Sequence, residues 1–353
     1  MNLIVELYTK LLSLIPFEPF RVVTNILIPT LAVITVILFN VFILIWWERR
    51  LIAFIQVRLG PNRLGPAGLI QTFADALKVM LKEHITPKKA NVILFALAPT
   101  IMFAPGLIVY TFIPMGQGFV VSNLKIGLFL ILAISSLTTL GILMAGWASN
   151  NKYSLLGGMR VVAQAISYEI PLLLSMVGII LLTGSMSMVD IVQHQNIWNI
   201  ITQPLAFLIF FVCALAEVNR IPFDLPEAES ELVSGFNTEY SGFMFAAFFL
   251  GEYVNTFTLG ALGATLFLGG WRFPFDFLLG DVGIQLSAQL GFIWFYMKAM
   301  LLFSMVIWVR GTLPRVRMDQ LMGFAWKYLI PLVLLNIFVT GTIAAFIQGF
   351  FRV

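Results

Sequence analysis

Apolar residues run through this chain in continuous blocks of about twenty, enough for a helix to cross a bilayer core. The blocks lie near 25–47, 92–113, 125–147, 160–183, 197–217, 238–262, 286–309 and 325–349. Within them apolar and polar positions do not alternate, so helices are expected and a β-barrel is not. The expected fold is an all-α polytopic membrane protein. It has one membrane domain over 1–353 and eight transmembrane helices. One segment follows a different pattern. Over 68–84, Gln71, Asp75, Lys78 and Lys82 share one helical face, and Leu69, Phe73, Leu77, Met80 and Leu81 share the other. That predicts an amphipathic helix of interfacial length.

Composition agrees with the pattern. Apolar residues make up 60% of the chain and charged residues 11%, against roughly 25% charged in a soluble domain. Pro16 and Pro19 interrupt the first apolar segment, so no cleavable signal is expected. Lys and Arg are about three times as frequent after the odd-numbered blocks as on the opposite side. Positive-inside logic then places those loops and the amphipathic helix in the cytoplasm, with both termini outside. The basic balance reflects membrane topology, not nucleic-acid binding.

Cysteine and histidine usage narrows the chemistry. Cys213 is the one cysteine, and His84 and His194 are far apart. An internal disulfide, an iron–sulfur cluster and a metal site are therefore not expected in this chain. Neither GxGxxG nor GxxxxGK[ST] occurs, so nucleotide binding has no support. A redox role would place the electron carriers on other chains.

Acidic residues carry the remaining signal. The loop 217–239 holds Glu217, Asp224, Glu227, Glu229, Glu231 and Glu239, and Glu252 lies deeper in the following block. Glu169 falls roughly 13 Å inward from Arg160 at 1.5 Å per residue. A carboxylate in a span costs about 2.5–3.5 kcal/mol on insertion scales, so these acids require a purpose beyond solvation. The plainer alternative is a short helix opened by Pro226, with Glu227 and Glu229 at its positive end and Gly235 closing it. It leaves Glu217 and Glu252 unexplained. Clustered, desolvated carboxylates titrate as a coupled set, which is what a proton relay needs. Lys298 lies inside the seventh block, with Glu252 as its expected partner.

Four segments carry a resemblance: ERRLIAFIQVRLGPNRLGPAGLIQTFADALKVMLKE, SNNKYSLLGGMRVVAQAISYEIPL, LAEVNRIPFDLPEAESELVSGFNTEYSGFMFAAFFLGEY and TLPRVRMDQLMGFAWKYLIP. With them the chain resembles the membrane subunit that forms the quinone site of proton-pumping NADH:quinone oxidoreductase, respiratory complex I. A small departure is Arg49-Arg50 after Glu48, where Arg-Lys is frequent. The resemblance implies eight spans plus an amphipathic helix. It implies a tunnel by which a lipid-soluble quinone reaches an iron–sulfur cluster in a peripheral subunit. Arg49, Arg50, Arg58, Asp75, Ala76, Phe249 and Arg310 would line it. It further implies that Glu169, Glu217, Asp224, Glu227, Glu229, Glu231 and Glu239 form an acidic path toward antiporter-like subunits.

On that resemblance the chain is enzymatic only within the complex. Quinone is its substrate, and it holds no flavin, iron–sulfur cluster or metal. Its partners are peripheral-arm iron–sulfur and quinone-site subunits, antiporter-like and small membrane subunits, and the lipid of a bacterial plasma (inner) membrane. Nucleic acid is not among them. Two alternatives stay open. One is the related subunit of a ferredoxin-, deazaflavin- or hydrogenase-linked membrane complex. The other is a stand-alone ion transporter, which predicts an internal inverted repeat.

Overall fold

The computed structural model describes residues 18–195, 197–225, 232–274 and 281–350. Among these residues no β-strand forms, and a bridge between Gly116 and Phe119 is the nearest approach to one. The helices are α1 (Glu18–Ile55), α2 (Gln71–Met80), α3 (Val92–Val109), α4 (Gly127–Ser135), α5 (Leu137–Ala148) and α6 (Lys152–Thr183). They continue with α7 (Met188–His194), α8 (Asn199–Thr202), α9 (Pro204–Glu217), α10 (Gly242–Phe267), α11 (Asp281–Thr312), α12 (Met318–Phe324) and α13 (Ile330–Phe350). Among the described residues, 7 helical stretches are long and apolar enough to cross a membrane. The protein is therefore a multi-pass membrane protein.

The fifth apolar block behaves differently from the expectation of one span over 197–217. It divides into α8 and α9, and α9 has 14 residues. Its rise of about 21 Å is short of the roughly 30 Å hydrocarbon core. Pro204 is the cause. A proline disfavours helical geometry in the residue before it, and Gln203 sits at φ −136°, ψ 63°. The same proline then opens α9 at its first position.

The amphipathic segment is also shorter than 68–84. A 3₁₀ turn at Pro66–Gly68 precedes α2, which stops at Met80. Gly68 adopts φ +75°, and a Cβ there would lie 2.2 Å from the Pro61 carbonyl oxygen, so only glycine fits the turn. After α2 the chain is tied to the start of α10. Ser241 Oγ donates to the Glu83 carbonyl and accepts from the Ile85 N–H, both at 3.1 Å.

The first span is longer than expected at its inner end. Glu48, Arg49 and Arg50 lie inside α1, which runs to Ile55. It ends where Val57 takes φ +53°.

α10 is the most enclosed span. It packs against α1, α2, α3, α9 and α11, while α6 packs against α5, α9 and α13. The larger apolar core joins α1, α6, α9, α10, α11 and α13. A second core gathers Phe95, Met102, Ile142, Val161, Phe236, Tyr240 and Phe248. In it Tyr240 stacks on Phe95 at 4.0 Å and 3°, a favourable aromatic contact. That stack anchors the chain entering α10.

Candidate functional site

α10 packs against α1, α2 and α11, and α1 packs against α2 and α11. Arg49 on α1 pairs with Asp75 on α2, and Gln71 donates to the same carboxylate at 2.9 Å. Burial alone would raise the Asp75 pKa. The Arg49 and Gln71 hydrogen bonds and the charges of Arg49 and Lys78 outweigh it and hold the carboxyl below its ordinary value. Trp46 Nε1 donates to the Ala67 carbonyl at 2.9 Å, and Phe42 meets Phe73 at 6.0 Å. These contacts fix α2 against α1. Ala76 is half-buried on α2. Phe249 on α10 is exposed and lies 5.0 Å from the Tyr253 ring. Arg50 sits over the Trp46 ring at 5.4 Å. Arg58 is exposed and bonds only locally, to Gln56 at 2.7 Å.

Deeper in, charge is arranged in a row. Glu48 is 5% exposed and pairs with Arg310 of α11. Arg220 approaches the same carboxylate oxygen, Oε1, at 3.8 Å. Arg220 is itself buried, reaches Glu252 of α10 at 4.0 Å, and lies over the Tyr253 ring at 4.7 Å. Distances near 4 Å are ion pairs, not direct hydrogen bonds. Arg220 therefore stands within ion-pair distance of two acids. A buried cation between carboxylates responds to a change in the charge of each.

Beyond Glu252 lies a cavity of about 20 Å³, enough for one water molecule. Glu217, Glu252, Asn219, Asn255, Thr138 and Thr139 contribute its polar lining. Glu217 Oε2 is enclosed, with no hydrogen-bond partner among the described residues. A buried acceptor without a protein partner invites water or a proton. Glu169 is half-buried on α6, which packs against α9, the helix that ends in Glu217.

The segment after α9 is held by several contacts. Gln164 Nε2 reaches the carbonyls of Ala216 and Phe223 at 2.8 and 2.9 Å and Asn219 Oδ1 at 3.1 Å. Asp224 pairs with Arg315 at 3.0 Å, and the Val316 N–H donates to the Pro222 carbonyl. Glu239 accepts from Asn151 Nδ2 at 2.7 Å. Gly157 of α6 admits this segment closely, since a Cβ there would lie 2.8 Å from Gly235 Cα. Glu227, Glu229 and Glu231 lie outside the described residues, as does the start of the short helix expected after Pro226. Gly235 itself opens a 3₁₀ turn.

The expected tunnel residues thus gather on one set of packed helices, Arg58 excepted. The described acids gather around α6, α9 and α10, with Asp224 and Glu239 toward the connecting segment. Sequence reasoning passed over Glu48 and Arg220, which join the two groups. Glu48 was visible as the acid before two arginines, and Arg220 as the one cation in an acidic loop. The expected Glu252–Lys298 pair does not form. Lys298 donates to the Gly270 and Arg272 carbonyls at 3.0 and 2.7 Å. Those groups follow the far end of α10, more than about 20 Å along the axis from Glu252. Among the described residues no three His, Cys, Asp or Glu side chains converge to hold a metal ion.

A sequence model described as NADH dehydrogenase matches residues 28–341. The chain is 54% identical over 298 residues to the NADH-quinone oxidoreductase H subunit of Geobacillus thermodenitrificans, covering 84% of this chain and 87% of that one. It is 51% identical over 305 residues to the protein of that name from Dehalococcoides mccartyi, covering 86% and 83%. With the Brevibacillus brevis protein of that name it shares 48% over 326 residues, covering 92% and 95%.

Proposed function

The chain belongs to the NADH dehydrogenase family, and from that premise we propose that it is the membrane subunit forming one wall of the quinone tunnel of an NADH-quinone oxidoreductase and the start of its proton path. It works only within that complex. Its topology has eight crossings, α8 and α9 together making the fifth, with both termini on the external side of the bacterial plasma membrane. A tunnel lined by Arg49, Arg50, Arg58, Asp75, Ala76, Phe249 and Arg310 receives the quinone. Peripheral subunits that carry the iron–sulfur clusters meet it on the cytoplasmic side. The acids lead on toward the antiporter-like and small membrane subunits.

One observation supports this reading above the rest. The row Arg310–Glu48–Arg220–Glu252 runs from the partly exposed Arg310 to a small cavity lined by Glu252 and Glu217. Reduction of a quinone by two electrons demands two protons and places negative charge in the tunnel. Arg310 and Arg49 would stabilise that charge. Glu48 and Arg220 would respond to it, shifting the balance at Glu252 and Glu217. Glu169, Asp224, Glu227, Glu229, Glu231 and Glu239 extend the same path.

The tunnel is tested by quinone kinetics in the assembled complex. Asp75→Asn and Arg50→Ala should each raise the apparent KM for quinone about tenfold, the effect of roughly 1.4 kcal/mol, with the amount of assembled complex unchanged. An unaltered KM with intact turnover in both variants refutes the tunnel assignment.

A further inference from the structure

The last span contains a turn of a different kind. Between α12 and α13, Ala325–Leu329 is a π-turn, in which the Ile330 N–H bonds to the Ala325 carbonyl. Pro331 is part of the cause. It has no N–H for the carbonyl of Lys327, and its ring would collide with that carbonyl in an unbroken α-helix. Widening the turn relieves both problems. Yet proline alone is insufficient, because α3 passes through Pro99 and Pro105, and α6 through Pro171, as α-helix.

The second determinant is what the turn presents. Trp326 Nε1 donates to Ser167 Oγ at 3.2 Å, and Ser167 Oγ donates to the Ala163 carbonyl at 2.8 Å. The next residue, Tyr168, is fully buried, and its Oη donates to the Leu321 carbonyl at 3.0 Å. The Tyr168 ring lies 5.7 Å from Phe223, a neighbour of the Asp224–Arg315 pair. Glu169 follows directly. The turn of α6 that leads into Glu169 is therefore gripped by the π-turn on one side and by the segment after α9 on the other. Relaxation of the π-turn to α would rotate the two flanks of the turn relative to each other by about 100° and change the direction in which Trp326 faces.

We propose that Trp326 is a positioning residue: the π-turn aims its indole N–H at Ser167 and so sets the orientation of the α6 turn that carries Glu169. This rests on Glu169 belonging to the acidic path. Motion of the segment around Phe223 and motion of the last span then reach Glu169 through one pair of neighbours, Ser167 and Tyr168.

The test measures protons translocated per NADH oxidised in membrane vesicles containing the assembled complex. Trp326→Phe keeps the ring and removes the donor, and Ser167→Ala removes the acceptor. Each should lower the ratio about twofold, the small end of effects seen for residues coupling two sites. The double variant should fall no further than Ser167→Ala alone, because Trp326→Phe removes a bond that Ser167→Ala has already removed. Loss of assembled complex alone, with an unchanged ratio, would mark a purely structural role and overturn the proposal. So would additive losses in the double variant, or a full ratio in both single variants when Glu169→Gln is impaired. A full ratio in Glu169→Gln itself would instead overturn the acidic path, and this inference with it.

Discussion

Glu48 faces two guanidinium groups, Arg310 and Arg220, at 5% exposure. Removing the charge of a buried ion pair leaves its partners uncompensated, at a cost of about 3–5 kcal/mol. Glu48→Gln should therefore lower the thermal inactivation midpoint of the complex well below that of Glu48→Asp, read as residual quinone reductase activity after heating. Equal midpoints in the two variants would show that Arg310 and Arg220 do not depend on this carboxylate. The residue also shows where sequence reasoning reaches its limit. Glu48, Arg49 and Arg50 are consecutive, and a helix turns about 100° per residue, so the three face different surroundings. Charge order alone cannot say which one points inward. That follows only once α1 is known to extend to Ile55, with α11 packed alongside.

Among the elements, α2 shows what local chemistry decides. It is fixed to α1 by the Arg49–Asp75 pair, the Trp46 bond to Ala67 and the Phe42–Phe73 contact. The folded Asp75 pKa lies below its ordinary 3.8. Its contribution is therefore complete above pH 3.8 and is lost as pH falls through the lowered value. Amide exchange in α2, corrected for intrinsic rates, should stay flat on descending from neutral pH to about that point and rise below it. In Asp75→Asn that acid limb should vanish, with a uniform loss of about 0.2–1 kcal/mol at neutral pH, because the pair is over a third exposed. An acid limb that persists in Asp75→Asn would assign it to another group.

A helix over the α2 segment was legible from spacing, and the apolar blocks announced most of the spans. Their ends were harder to see. Gln203-Pro204 divides the fifth block, and Gly65 and Gly68 at positive φ delay the start of α2. Both are backbone effects inside stretches whose hydropathy barely changes.

Across the bundle, the charge row and the cavity follow from α10 lying between α1, α2, α3, α9 and α11. No short motif encodes that arrangement. Glu217, Asn255 and Thr138 are far apart in the chain and meet only because α3 and α5 pack beside α10 and α6. The presence of acids was therefore readable, but their common cavity was not. The same packing leaves Phe249 and the Arg49–Asp75 pair exposed.

The most direct measurement is the ratio of protons translocated to NADH oxidised in membranes carrying Glu217→Gln in an otherwise intact, fully assembled complex. A side chain that holds a proton in the cavity but cannot release it should lower that ratio, or quinone-linked turnover with it, by about tenfold or more. Full turnover with the full ratio would contradict a proton path through Glu217.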